Sequence, residues 1–158
     1  MKKLYYSVSL ILTIILFEMG CSHQQEADSL HLSVHKMKIH CWLNLMPGGS
    51  ASFHISGEIK MKNDENQEIT DLKLTTIKVF QSNKLMYSFT PQFSPKIKGE
   101  EFLIPAKSER DFLFSSKSRL SVSKNLNAEQ PILIKLLFKG KEKSFLYQME
   151  NIKIEKVY

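Results

Sequence analysis

The side chains in this 158-residue chain best suited to metal or redox chemistry are unevenly placed. All five histidines fall between His23 and His54, with Met37, Cys41 and Met46 among them. Imidazole, thiol and thioether together suit copper or zinc, so a periplasmic metal-handling protein is one reading. Spacing works against it. Neighbours on an extended strand point to opposite faces, so His40 and Cys41 diverge. His40 and His54 share a face only if their two segments pair as a hairpin, and two imidazoles fall short of the roughly four ligands of a stable zinc site. The expectation is therefore no cofactor and no metal, with His40 and His54 as the alternative site and solvated surface histidines as the plainer account.

Covalent catalysis is no better supplied. A nucleophile needs an adjacent base and a third group to orient that base, and the chain has no GxSxG, HExxH or SxxK. Glu100, Glu101, Glu109 and Asp111 could supply a carboxylate pair for glycoside cleavage, but they lie among Lys and Ser in segments that read as exposed. The sequence predicts a protein that is not an enzyme.

What would position these groups is a set of strands. Met37, Ile39, Cys41, Leu43 and Leu45 alternate with polar residues, Pro47-Gly48-Gly49-Ser50 supplies a turn, and Phe53, Ile55, Ile59 and Met61 resume the alternation. Both segments bury odd-numbered residues, so opposed positions must sum to an even number. A sum of 96 sets Cys41 against Ile55 inside, and Lys38 against Glu58 and Trp42 against His54 outside. Alternation recurs over residues 69–80, 85–89, 108–115, 132–138 and 145–158, with phase shifts in the first and last of these that predict β-bulges. Pro91 and Pro95 predict an irregular loop over residues 89–105, and residues 116–131 read as a surface connection. About seven strands with short turns and no helical period predict an all-β fold, a single β-sandwich spanning residues 31–158. The strand pattern is similar to the immunoglobulin-like domains of bacterial surfaces.

Two features point to recognition. Trp42 projects from the polar face of the first strand, where an exposed tryptophan can anchor a partner. Phe93, Ile97, Phe102 and Ile104, in the proline-containing loop, must either plug an open end of the core or stand exposed as a binding patch. The loop and any free strand edge are the expected contact surfaces.

The N-terminal segment sets the compartment. Lys2 and Lys3 precede an apolar run that Glu18 stops short of the roughly 20 residues a spanning helix needs, which is the layout of a secretory signal. Met19-Gly20-Cys21 resembles the lipobox of bacterial lipoproteins. That resemblance implies a signal peptide over residues 1–20, lipidation (palmitate among the acyl groups) of Cys21 as the new N-terminus, and a place in the cell envelope, with Ser22 favouring the outer membrane. Residues 21–30 then read as a flexible tether. Losing Lys2, Lys3 and Glu18 takes the 22 basic and 16 acidic residues to 20 and 15, a net charge of +5. The lysines are spread rather than striped, which argues against nucleic acid. The expected partners are the membrane, through Cys21, and another protein or an envelope component. With Cys21 acylated, Cys41 has no partner for a disulfide, and its place on the apolar face predicts a buried thiol.

Overall fold

The computed structural model describes residues 31–158 other than Ser118 and Glu142. The signal segment, Cys21 and the tether lie outside the described residues. Ten strands follow one another: β1 (Leu32–Asn44), β2 (Ser52–Asn63), β3 (Lys73–Gln81), β4 (Lys84–Phe89), β5 (Gln92–Pro95), β6 (Glu109–Ser115), β7 (Leu120–Ser121), β8 (Ile132–Lys139), β9 (Ser144–Ile152) and β10 (Glu155–Val157). One sheet runs β10-β1-β2-β6-β5, with β7 also on β2, and the other runs β4-β3-β8-β9. Set face to face, β1-β2-β6 against β4-β3-β8-β9 is an immunoglobulin-like sandwich. The seven long strands are those the alternation predicts, and β5, β7 and β10 are short additions.

Parity accounts for the core. Cys41, Leu43, Phe53, Ile55, Ile59 and Met61 from the β1–β2 hairpin meet Leu74, Ile77, Val79, Ile132, Ile134, Leu136 and Phe138 from the facing sheet, all buried. The register is the expected one, with Cys41 opposite Ile55, Lys38 opposite Glu58 and Trp42 opposite His54. Gly57 is needed where it stands. A Cβ there would lie 2.4 Å from the Phe114 ring and 2.6 Å from the Lys38 carbonyl oxygen, because Phe114, opposite on β6, lies across the glycine.

Both phase shifts are real. In β3 the register with β8 slips between Leu74 and Thr76, and the Thr75 hydroxyl turns to donate to the Leu137 carbonyl at 3.0 Å. The last segment does more than bulge. Asn151 takes a left-handed φ of 59°, and the chain leaves β9, passes buried Ile154 and joins the opposite sheet as β10, parallel to β1. The single closing strand expected over residues 145–158 is thus two strands in two sheets. The loop expected over residues 89–105 also contains β5, paired with β6 from Gln92 to Pro95. A proline is tolerated there because the strand is an edge.

Buried amides lock the two ends. Asn63 donates to the carbonyls of Gln67, Ile104 and Pro105 and accepts from the Glu65 N–H. At the other end Gln81 donates to the Asn127 and Gln130 carbonyls and accepts from the Asn127 N–H, fastening the connection over residues 116–131 to the sandwich. Polar side chains this buried are stable because their donors and acceptors are used.

Candidate functional site

The loop residues divide. Ile104 is fully buried and exchanges two backbone hydrogen bonds with Ile69, at 2.9 and 3.0 Å, so it belongs to the core. Phe93, carried inward by β5, is half-buried and stacks on Phe112 with ring centres 5.0 Å apart, and meets Phe138 edge-on with ring centres 5.9 Å apart. Phe102 lies 6.0 Å from Phe93 and remains 40% exposed, its carbonyl held by the Leu72 N–H at 2.9 Å. Ile97 is 63% exposed.

Between these elements, where the chain crosses from β4 to β5 through buried Pro91, the flank of the sandwich opens into a groove of about 640 Å³. Phe93, Phe102, Pro91 and Leu74 give it an apolar floor, and Asp71, Lys73 and Lys117 stand at the rim. An apolar floor ringed by charges has the make-up of a hollow that can hold a ligand or a partner's side chain. The sequence marks Phe93 and Phe102 but not Leu74, which lines the groove next to the register slip in β3.

The outer face of the six-strand sheet carries the other singled-out residues. Trp42 is half-buried, stacks nearly parallel on His54 with ring centres 5.1 Å apart, and has Glu155 of β10 on its other side. His54 hydrogen-bonds the Ser52 hydroxyl at 2.9 Å, and burial, then Arg119, lower its pKa. His40 stands one row along, opposite Ser56, at the wall of a shallow trough of about 610 Å³. Short Ser56, Ser94 and Ser115 form its floor, and Lys38 and Gln92 its sides. His40 and His54 are thus diagonal neighbours on one face. Among the described residues no three His, Cys, Asp or Glu side chains converge as metal ligands. Cys41 is 1% exposed on the inner face, where burial, then Glu155, push its thiol up to about 12.

No family model and no curated protein sequence matches the chain. Among solved structures, an uncharacterised β-sandwich protein from Clostridium difficile 630 is similar at 12% identity and a TM-score of 0.40, over 75% of this chain and 83% of that one. The Iho670 flagellar-like filament is similar at 7% identity and a TM-score of 0.35, over 94% and 93%. The described residues contain no helix long and apolar enough to cross a membrane.

Proposed function

We propose that this protein is a non-enzymatic envelope lipoprotein, anchored through acylated Cys21, whose β-sandwich binds another protein or an envelope component at the groove beside β5. The observation that carries the reading is the groove itself: Phe102 stands exposed at an apolar floor that Phe93 continues into the core. Solvent-facing aromatic and aliphatic side chains around a preformed hollow are the usual anchors of an interface. The lipobox-like Met19-Gly20-Cys21 supplies the anchor, since several acyl chains on one residue hold a protein stably at a membrane where one would not. Burial of the Cys41 thiol supports acylation over a Cys21–Cys41 disulfide, because bridging Cys41 would require the core to open. Metabolic labelling with a palmitate analogue, followed by membrane fractionation, tests the anchor. The expected result is a labelled, membrane-bound protein that loses its label and becomes soluble as Cys21→Ser. An unlabelled wild-type protein would overturn it.

A further inference from the structure

Three of the four sheet edges are blunted. β5 has four residues, ends in Pro95 and is followed by Lys96; β10 has three; β4 begins at Lys84 and faces a bulge at Val79/Phe80. The fourth, β9, runs nine residues, Ser-Phe-Leu-Tyr-Gln-Met-Glu-Asn-Ile, with neither Pro nor Lys. Long unprotected edges of this composition are templates for strand addition.

The free groups can be named. Gly140 N–H donates to the Lys143 carbonyl at 3.0 Å, closing the β8–β9 turn. From there bonded and non-bonded pairs alternate. Phe138 with Phe145, Leu136 with Tyr147 and Ile134 with Met149 are the bonded pairs. The N–H and C=O of Leu146 and Gln148 therefore point away from β8, and the Leu146 side chain is 56% exposed. Beneath this edge, half-buried Phe145 and Tyr147 pack against the core, as do Val34, Met37 and Ile39 of β1. The chain's own C-terminus already closes the upper part of this flank, β10 adding to β1 at residues 42–44. No described strand covers the lower part.

We infer that β9 accepts an extended strand from a partner protein, apolar at alternate positions and acidic towards both ends. The alternate apolar residues would close the seam over Phe145 and Tyr147, and the acidic ends would meet exposed Lys141 and Lys153. A second copy fits poorly. Its own β9 is flanked by Lys141, Lys143 and Lys153, so it brings cations rather than carboxylates towards both ends of the edge. Residues 22–29 of the same chain, Ser-His-Gln-Gln-Glu-Ala-Asp-Ser, lack the alternation. The inference rests on reading the sandwich as a binding module, but on residues remote from the β5 groove, so either surface can fail alone.

The test is amide hydrogen exchange on the purified full chain, with a synthetic peptide of alternating Val and Thr bearing Glu at both ends and a counterpart bearing Lys. Alone, Leu146 and Gln148 should exchange faster than Tyr147, whose N–H is bonded to β8. The Glu-ended peptide at about ten times its Kd should slow them roughly tenfold, as binding that closes the edge requires. Gln148→Pro removes an N–H that β8 does not use; it should leave the unfolding temperature unchanged and abolish the slowing. Lys153→Glu should reverse the preference between the two peptides. The inference is overturned if neither peptide slows Leu146 and Gln148, or if Gln148→Pro is slowed as much as wild type. It is also overturned if these amides are already protected in the free chain, by its own N-terminal segment or, where protection rises with protein concentration, by a second copy.

Discussion

Single positions in this sandwich carry definite physical consequences. Phe114 occupies the space above Gly57, with its ring carbon 2.4 Å from where a Cβ would sit and the Lys38 carbonyl oxygen 2.6 Å from it on the backbone side. Gly57→Ala should cost about 1–3 kcal/mol, the range for overpacking a filled core, and a denaturant titration checks it; pairing it with Phe114→Leu should return part of the loss. Cys41 has its thiol buried and pushed up to about 12, so at pH 8 it is both protonated and shielded. In a Cys21→Ser background a maleimide should leave the folded protein unmodified and label it at one site once urea unfolds it. Rapid native labelling would place Cys41 outside the core.

At the level of strands, residue parity made much of the structure legible beforehand. The β1–β2 register follows from two odd-numbered inner sets and a turn of known length, and the opposed pairs are those expected. Lys38 lies opposite Glu58 and helps to lower its pKa, but the ion pair of Glu58 is with Lys96, 2.6 Å away. Lys96 follows β5, a strand hidden in the sequence because Pro91 and Pro95 bracket it. A phase shift reads the same whether the chain bulges within one sheet, as at Thr75, or crosses to the other, as after Asn151. Only the position of the facing sheet decides between them. The buried amides were illegible for a related reason, since Asn63 and Gln81 look like turn residues until the segments they hold are in place. Each replacement by Ala leaves buried carbonyls without donors. Asn63→Ala or Gln81→Ala should therefore lower stability by about 1–3 kcal/mol per change, with faster amide exchange in residues 64–69 and 104–108 for the first and 123–131 for the second.

For the whole molecule, Glu65 links elements far apart in the chain. Its carboxylate accepts from the His31 N–H at 3.2 Å, where β1 begins, and pairs with Lys143 at 3.4 Å, where β9 begins. The His31 N–H chiefly, with help from Lys143, holds it below its ordinary 4.5. A carboxylate depressed in the folded state stabilises above its unfolded pKa, and that contribution disappears as pH falls through the folded value. The urea midpoint should accordingly drop below about pH 4.5, and Glu65→Gln should flatten part of that drop while leaving the slope near neutrality unchanged. Glu58, Asp64 and Glu129, each depressed first by a hydrogen bond from Lys96, Ser33 and Lys156 respectively, share the same window.

The candidate site was legible in part at the same scale. Phe93 and Phe102 could be singled out because apolar residues in a proline-containing loop need a place to go. That Ile104 would be drawn into the core, while Ile97 would not, depends on Ile69 arriving beside it from 35 residues away. The central claim is that the groove beside β5 is where the anchored sandwich meets its partner. A photo-crosslinking amino acid placed at Phe102 in intact cells tests this most directly, with Leu85 on the other sheet as a somewhat more exposed control. Specific adducts from position 102 that are absent from position 85 and disappear with Phe93→Asp are the predicted result. The same adducts from both positions, or none from 102 in a protein shown to be folded, would contradict the account.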